Sequence, residues 1–379
     1  MKGSVKSVRI LHTVGMMNRG GAETMLMNIF RHINRDKFTF FFLVHSPDTG
    51  AYDREIRQLG GTLYYLPSLG TVGFTRYIVN LYRFILRSGP YDIVHSHLDW
   101  QGGAIAVAAK LAGMKTIIVH SHSSFWQKPN SLVYRLLHKF NRLLISMFAT
   151  EGWACSQGAG EFLFSQKFIK SASYRRINNA IDLDCYQHLT QETALRMRQT
   201  LGIPEEALVL GHVGSFSKPK NQIFLARIAF QLKKENLDFR LVLVGDGAMR
   251  KEITDFVNAH ELSAQVIFLG LRDDIPECMN MFDVFLFPSL FEGLGIVAIE
   301  AQAAGIPCLV SNHVPCEVDM GLDLVKHLSL NSIDLWIATL ESVKLRRCNN
   351  RSLIDEQITS NGYNISESIK KIMNYYQTI

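Results

Sequence analysis

The sequence lacks the features that mark several large classes of protein. It has six cysteines in 379 residues and no Cys-x-x-Cys pair, which indicates a reducing cytoplasm and neither a disulfide framework nor a zinc site. No apolar run approaches the ~20 residues that a membrane-spanning helix needs. The N-terminal segment has neither the apolar core nor the cleavage site of a signal peptide, and low-complexity repeats are absent. We therefore expect a globular cytoplasmic protein that holds no metal.

Length and charge indicate two domains with different partners. At roughly 150 residues per domain, a chain of 379 residues corresponds to two domains or three, and 47% apolar residues suffice for a large core. Residues 1–180 carry 22 Lys and Arg against 9 Asp and Glu, whereas residues 181–379 carry 18 against 25. The resulting net charges of +13 and −7 predict that the two halves meet different ligands or surfaces.

Short apolar runs alternate with helical segments through most of the chain. In the first half the predicted strands are 8–14, 38–44, 62–66, 92–96 and 116–120. In the second half they are 208–213, 240–244, 266–269, 284–287 and 307–310. Buried strands that alternate with helices are typical of parallel sheets covered on both faces. The sequence thus predicts an α/β protein with two Rossmann-like, doubly wound domains, 1–180 and 181–363, that face a central cleft and are joined by a hinge at 178–190.

Ligands of such sheets bind beyond the carboxyl ends of the strands, so the loops there hold the candidate residues. The first loop, 15–23, contains Gly20 and Gly21 before a predicted helix, whose N-terminus favours an anion. The alternative is a plain turn in which glycine supplies a positive φ. The absence of Gly-x-Gly-x-x-Gly followed by a later acid speaks against a nicotinamide site.

A second loop, 291–295, is rich in glycine and opens a helix predicted from about residue 296. Its backbone N–H groups suit a phosphate, and Glu292 and Glu300 flank the helix start as acceptors for sugar hydroxyls. Alternatively, Glu292 is solvated and Glu300 is paired internally. Because Glu300 follows the apolar run 296–299, the sequence favours the functional interpretation.

Histidines and lysines follow other strands. His120 and His122 end the strand at 116–120, and His95 with His97 repeats the pattern one strand earlier, where His97 is preferred. Such histidines are candidate acids, bases or hydrogen-bond donors, although a lone histidine is more often structural.

Lys218 and Lys220 follow the strand at 208–213 and could neutralise a diphosphate, or could simply form a solvated basic loop. Asp182 and Asp184 have the Asp-x-Asp spacing of metal-dependent sugar transferases. Their position in the hinge favours a turn instead.

Taken together, Glu292-x7-Glu300, Gly20-Gly21-Ala22-Glu23, His120 and Lys220 resemble the retaining glycosyltransferases of family 4, which have the GT-B fold. The resemblance runs almost from end to end. The phrases around residues 17–24, 288–294 and 300–305 look like those of exopolysaccharide and capsule transferases.

The resemblance implies a role for each matching residue. The second domain would hold a nucleotide sugar, with Glu300 on the ribose, Glu292 on the donor sugar and Lys220 on the diphosphate. His120, Glu292 and Lys220 form the implied catalytic set, and the first domain would hold the acceptor through His97 and His122, with a final helix at about 364–379 crossing back to it. The remaining implied donor-binding residues are Gly20, Gly21, Ser215, Lys218, Leu271, Arg272, Gly293, Leu294 and Gly295.

One position departs from the family pattern. The family usually has Gly-Arg-Phe after the first strand of the donor domain, whereas this chain has Gly214-Ser215-Phe216. A charge-stabilising donor in a reacting site is worth roughly 3–4 kcal/mol. Either Lys218 compensates, or activity is reduced, or the protein is a non-catalytic partner.

The resemblance predicts transfer of a hexose from a nucleotide sugar, with UDP favoured, to a polyprenyl-diphosphate-linked oligosaccharide, with retention and with neither cofactor nor metal. The alternatives are a catalytically impaired sugar-nucleotide-binding partner in a polysaccharide assembly complex and, less favoured by the two glutamates, a sugar-nucleotide epimerase. Segments 74–87 and 132–148 mix cationic and apolar residues at helical spacing, so they would lie on an anionic membrane at the inner face of the plasma membrane, or else form a buried and a solvated face. No motif for nucleic-acid binding is present.

Overall fold

The computed structural model describes residues 7–123, 132–343 and 346–378. The chain divides into two compact units. Unit 1 comprises the residues up to Ile181 together with those from Ile365 onward, and unit 2 comprises Asp182–Asn364. Each unit is a parallel sheet with helices on its faces, which confirms the predicted pair of doubly wound α/β domains.

Within its described residues, unit 1 contains seven strands, all short and mostly apolar. They are β1 (Val8–Val14), β2 (Phe38–Val44), β3 (Thr62–Tyr65), β4 (Ile93–Ser96), β5 (Thr116–Ser121), β6 (Glu151–Ala154) and β7 (Tyr174–Arg176). Its first eight helices are α1 (Gly21–His32), α2 (Asp53–Gln58), α3 (Leu69–Val72), α4 (Phe74–Ser88), α5 (Gly102–Leu111), α6 (Leu132–Phe148), α7 (Gln157–Leu163) and α8 (Gln166–Ile169). The strand order is β3-β2-β1-β4-β5-β6-β7, so the direction of winding reverses between β1 and β4.

Unit 2 repeats this plan with six strands in the part of it that the structure describes. They are β8 (Leu208–Val213), β9 (Phe239–Val244), β10 (Val266–Gly270), β11 (Val284–Phe287), β12 (Cys308–Ser311) and β13 (Val325–Leu328). Its helices are α9 (Gln191–Thr200), α10 (Gln222–Lys234), α11 (Arg250–Ala259), α12 (Ile275–Asn280), α13 (Ile296–Ala303), α14 (Ile333–Val343) and α15 (Arg351–Ser360). The order β10-β9-β8-β11-β12-β13 makes β8 and β11 neighbours at the reversal point. The loops that follow these two strands are therefore brought together at the reversal point, where doubly wound sheets form a crevice.

The last helix, α16 (Ile365–Thr378), belongs to unit 1. Its buried stripe includes Ile369, Ile372 and Tyr376, which join the core formed by one face of the sheet and α1. The Tyr376 ring stacks on Trp153 at 5.8 Å between centroids, and its hydroxyl lies 2.7 Å from Nδ1 of His95. This helix thus closes one face of the unit 1 sheet.

Three strands of the structure were not predicted, namely β6, β7 and β13. β7 and β13 lie at the edges of their sheets and carry charged or polar residues, and β6 is four residues long with a glycine, so none forms a continuous apolar run. In the hinge, the Asp182 carboxylate accepts a hydrogen bond from the backbone N–H of Asp184 at 3.0 Å and caps a short 3-10 turn, as the turn interpretation predicted. Within the described residues, no helix is both long enough and apolar enough to cross a membrane.

Candidate active site

The loops after β8 and β11 bring a lysine and a glutamate into direct contact. Nζ of Lys220 lies 2.7 Å from Oε1 of Glu292, and the two side chains retain 22% and 9% of their exposure. The ammonium also lies 4.9 Å from the centre of the Phe287 ring. Sequence reasoning placed both residues at the site but did not predict this ion pair, which holds both charges in a partly dehydrated position.

Backbone contacts fix the two loops to each other. The N–H of Leu290 donates to the carbonyl of Pro219 at 2.7 Å, and the Asn221 side chain donates to the carbonyl of Pro288 at 3.2 Å. Asn221 itself has φ 56°, in the left-handed region that asparagine tolerates, and it precedes the first turn of α10. The turn that carries Lys220 is therefore held by hydrogen bonds of its neighbours as well as by the ion pair with Glu292.

The glycine-rich loop ends at the N-terminus of α13. Gly295 has φ 93°, and a Cβ there would lie 3.0 Å from the Phe287 ring, so the position requires glycine for both backbone conformation and space. The preceding Leu294 is buried at 3% exposure and anchors the loop. The first N–H groups of any helix lack intrahelical acceptors, so this end of α13 has the electrostatics of an anion site.

Glu300 lies in the second turn of α13 and is half-buried. Loss of hydration raises the pKa of its carboxyl to about 7. Within the described residues, its carboxylate has no hydrogen-bonding or ion-pair partner in the protein, which contradicts the alternative of an internally paired Glu300. A half-buried carboxylate at this place is a strong acceptor for hydroxyl groups of a ligand.

The other predicted donor residues are spread over neighbouring loops of the same sheet edge. Ser215 and Lys218 are exposed in the loop after β8. Leu271 is 61% exposed directly after β10, and Arg272 binds Asp274 with Nε 2.7 Å from Oδ1.

A cation that sequence reasoning missed lies beside the Ser215 loop. The Arg250 guanidinium, at the start of α11, lies 4.1 Å from the centre of the Phe268 ring and 5.7 Å from that of Phe216. The loop after β9 is tied to this place because the N–H of Met249 donates to the carbonyl of Phe216 at 3.0 Å. The signal that could have found it is a basic residue in the first turn of a helix at the carboxyl edge of the sheet.

In unit 1 the glycine pair opens α1 without a positive φ. Gly20 has φ −86°, and Gly21 is absent from the positive-φ residues, so the interpretation as a turn that needs glycine for backbone conformation is wrong. A Cβ at Gly20 would collide with the Glu23 carboxylate, whereas nothing lies within 4 Å of a Cβ at Gly21. Burial and the neighbouring Asp99 raise the pKa of Glu23.

The predicted histidines of unit 1 belong to a larger group on one face of its sheet. We call this group the histidine cluster, and it consists of His12, His95, His97, His120 and His122. Nδ1 of His97 lies 3.0 Å from Nε2 of His122, and Nε2 of His97 lies 3.0 Å from Nδ1 of His12. Sequence reasoning missed His12, which lies inside β1 rather than after a strand.

Burial keeps the histidine cluster neutral. His120 has 0% exposure, and its pKa is held well below the ordinary value by loss of hydration and by the neighbouring imidazoles. Burial also lowers the pKa values of His12 and His122 to about 3. Burial therefore favours the neutral imidazole of His120 over the imidazolium.

Two family descriptions match the chain in positions that correspond to the two units. Residues 20–180 match "Glycosyl transferase 4-like domain", and residues 194–321 match "Glycosyl transferases group 1". The chain is 39% identical to the EpsF glycosyltransferase of Bacillus subtilis strain 168 over 373 residues, which cover 97% of this chain and 96% of that protein.

A second relative and a solved structure also match over nearly the whole chain. The UDP-Gal:alpha-D-GlcNAc-diphosphoundecaprenol alpha-1,3-galactosyltransferase of Escherichia coli is 25% identical, covering 99% of this chain and 98% of its own. The structure of Anabaena HepE in complex with UDP and glucose superposes with a TM-score of 0.77 at 20% identity, covering 98% of this chain and 100% of HepE. At that identity the likeness shows the fold alone.

Proposed function

The chain belongs to the family 4 glycosyltransferases with the GT-B fold, and from that premise we propose that it transfers a hexose from a UDP-sugar to a lipid-linked oligosaccharide with retention of configuration. The observation that carries the proposal is the Lys220–Glu292 pair, which joins the loop after β8 to the loop after β11. The loop after β11 leads into α13, the helix that carries Glu300. The UDP bound to HepE supports the choice of nucleotide.

In the proposed donor site, one set of groups binds the charged diphosphate and another binds the sugar hydroxyls. The N–H groups at the start of α13 and the Lys220 ammonium bind the diphosphate, while Glu292 and Glu300 accept hydrogen bonds from hydroxyls of the donor sugar and the ribose. An ammonium has three N–H donors, and its contact with Glu292 uses one. The diphosphate can therefore be bound without breaking the ion pair.

In the proposed reaction, the bond between the anomeric carbon and the diphosphate oxygen breaks, and the acceptor oxygen forms the new bond on the same face. The acceptor proton passes to the departing diphosphate, so the products are the glycoside and the free nucleotide. Lys220 and the helix N-terminus stabilise the charge that develops on the leaving group. Protein cations do this neutralisation, so the proposal needs no divalent metal, and His120 and Gly21 of unit 1 are proposed to serve the transfer step.

The serine at position 215 requires other cations to replace the usual arginine. Lys218 follows in the same loop, and Arg250 lies against the ring of the adjacent Phe216. We propose that these two side chains supply the missing positive charge. If Lys218 and Arg250 do not supply this charge, the protein binds the nucleotide sugar without transferring the sugar. It would then be the catalytically impaired binding partner in a polysaccharide assembly complex.

Two contacting helices of unit 1, α4 and α6, form a surface that suits a membrane-bound acceptor. The exposed side of α6 carries seven large apolar side chains, Leu132, Val133, Leu136, Leu137, Phe140, Leu143 and Met147. Arg135 and Lys139 are exposed on the same helix, and Phe140 contacts Phe74 of α4 with ring centroids 5.7 Å apart. An apolar stripe with flanking cations suits an anionic bilayer surface.

The location of the proposed acceptor follows from this surface. We propose that the exposed face of α6 binds the cytoplasmic face of the plasma membrane and so brings the enzyme to a polyprenyl-diphosphate-linked acceptor. The Escherichia coli relative, a galactosyltransferase whose name gives a diphosphoundecaprenol-linked sugar as its acceptor, supports this choice. Exopolysaccharide or capsule assembly is the proposed pathway class.

A donor panel with the purified protein tests the proposal. UDP-glucose, UDP-galactose, UDP-N-acetylglucosamine and GDP-mannose are titrated by calorimetry and then incubated with a lipid-diphosphate-linked sugar. We expect UDP-sugar binding, transfer that resists EDTA, and loss of binding in Glu292→Gln and Glu300→Gln. Glu252→Gln, an exposed change in the first turn of α11, is the matched control and is expected to bind normally. Equal UDP-sugar binding by the wild type and all three variants would refute the assignment of the donor site.

A further inference from the structure

A buried histidine of unit 2 lies beside the lysine of the proposed donor site. His212, in β8, has 0% exposure, and its ring centroid lies 6.3 Å and 6.1 Å from those of Phe285 and Phe287 on the neighbouring strand β11. The Phe287 ring is also the one that Nζ of Lys220 approaches at 4.9 Å. A Cβ at Gly214 would lie 3.3 Å from Nε2 of His212 and 3.7 Å from Cδ of Lys220, so the imidazole and the lysine stem pack on the same glycine.

The hydrogen bonds of His212 fix its tautomer. Nδ1 lies 2.9 Å from the carbonyl oxygen of Leu286, which can only accept, so the proton of the neutral ring is on Nδ1. Burial first, and then the nearby Lys220, lower the pKa of His212 to about 4, although the bond to Leu286 opposes them. The ring is therefore neutral at pH 7, and its Nε2 is left as a hydrogen-bond acceptor.

Gln222, the first residue of α10, connects this acceptor to the loop after β8. Its side-chain nitrogen donates to Nε2 of His212 at 3.2 Å and to the carbonyl oxygen of Ser215 at 2.8 Å. The reverse placement of the amide would set its oxygen against the Ser215 carbonyl, so the orientation of the amide is fixed as well. One N–H of Gln222 is thus bound to the strand, and the other is bound to the loop.

The amide oxygen of Gln222 has no matching donor. Gln222 has 1% exposure, and its Oε1 has no hydrogen-bonding partner among the described residues. An unpaired buried acceptor costs stability and is uncommon in folded proteins. A buried side chain that makes two donated bonds while its oxygen stays unpaired is better explained by a role in holding a functional loop than by a role in stability alone.

These contacts determine where the Lys220 ammonium lies. The loop 214–221 begins at Gly214, on which the imidazole and the lysine stem pack, and Gln222 follows its last residue. Loss of the amide would release the Ser215 carbonyl and the imidazole together. Because a misplacement of 1 Å can cost about 100-fold in rate, such a loss affects how well Lys220 stabilises charge on a leaving diphosphate.

We propose that His212 and Gln222 are positioning residues for the donor diphosphate, and that they act through the loop that carries Lys220 without touching the substrate. The proposal rests on the proposed function, which assigns the binding of a nucleoside diphosphate to this loop. A purely structural pair would change the stability of unit 2 and would leave the affinity of the folded protein for UDP unchanged. Affinity and stability therefore distinguish the two roles.

The test is a double-mutant cycle on the whole chain, with UDP as the probe and calorimetry as the measurement. We expect Gln222→Met to weaken UDP binding by about 10-fold when Lys220 is present, and by less than about 2-fold in the Lys220→Met background. His212→Asn keeps a donor for the Leu286 carbonyl but does not reach Gln222, so it should behave like Gln222→Met. Gln231→Met, the same change at a half-exposed position of α10, is the matched control and should bind UDP as the wild type does.

The cycle separates this inference from the proposed function because it needs no acceptor. Equal weakening by Gln222→Met in both backgrounds, or unchanged UDP affinity in folded Gln222→Met, would overturn the positioning role. If the cycle shows the expected coupling while the wild type transfers no sugar, the proposed transfer reaction fails and the positioning role stands. Circular dichroism checks that each variant folds.

A second measurement uses the wild type itself. In ¹⁵N spectra of histidine-labelled protein, the His212 ring, identified by the signals absent from His212→Asn, should be neutral with its proton on Nδ1 from pH 6 to 8. In Gln222→Met the Nε2 resonance should shift, because that nitrogen loses its donor. A proton on Nε2 in the wild type would overturn the proposal, since Nε2 could then not accept from Gln222, and this result decides if a variant of the cycle does not fold.

Discussion

Replacing Lys220 by methionine should lower both the stability of the protein and its kcat, each for a different reason. The change leaves Glu292, at 9% side-chain exposure, without its ammonium partner. Breaking a buried pair costs about 3–5 kcal/mol, and we expect the low end because the Lys220 side chain keeps 22% exposure. For a domain of this size, about 3 kcal/mol corresponds to a fall in Tm of roughly 6–12 °C. Loss of one charge-stabilising donor should also lower kcat by about 10²–10³-fold.

The double variant Lys220→Met, Glu292→Gln separates the two effects. It removes both charges, so the Tm should recover much of its loss, whereas transfer should stay as low as in Lys220→Met. Differential scanning calorimetry gives the Tm, and release of UDP in the presence of acceptor gives the rate. A Tm for Lys220→Met within about 1 °C of the wild type, with purely additive effects in the double variant, would show that the pair contributes nothing in solution.

Three further predictions concern other parts of the chain. Burial raises the pKa of Glu300 to about 7, so the folded protein keeps a proton that the unfolded chain loses near pH 4.5, and stability should fall by up to roughly 3 kcal/mol as pH rises between these values. Glu300→Gln should abolish that slope in calorimetry at pH 5 to 8, and an unchanged slope would refute the assignment. Tyr376→Phe removes the hydroxyl from the buried His95 and should destabilise unit 1 by about 1–3 kcal/mol, seen as a lower Tm for one calorimetric transition, whereas an unshifted transition would contradict the contact. Leu136→Ser combined with Phe140→Ser should abolish flotation with anionic vesicles at low salt, while the exposed Leu353→Ser of unit 2 should not, and equal flotation of all three proteins would argue against the membrane face.

The fold was predictable because its signals are local. Each buried parallel strand is a short apolar run, and each loop that follows the main strands carries glycine or polar residues. Edge strands such as β7 and β13 were not predicted because many of their residues are polar or charged. They are strands only because each pairs with one neighbouring strand. The predicted start of α13 at residue 296 matches the structure because Gly295 ends the loop.

The contacts within the candidate site were less predictable because they depend on strand order. Lys220 and Glu292 are 72 residues apart in sequence and meet only because β8 and β11 are neighbours. Likewise, His12 was missed since it lies within β1, and its place opposite His95 follows from register rather than from any local pattern. A search for histidines that lie on the same face of adjacent predicted strands would have found His12.

The most direct test of the central claim is the transfer assay with each UDP-sugar and a lipid-diphosphate-linked sugar, followed by analysis of the anomeric configuration of the product. The account predicts a glycoside with the donor's configuration, formed by the wild type in EDTA and lost in Glu292→Gln. A product of inverted configuration, or transfer that persists unchanged in Glu292→Gln, would contradict it.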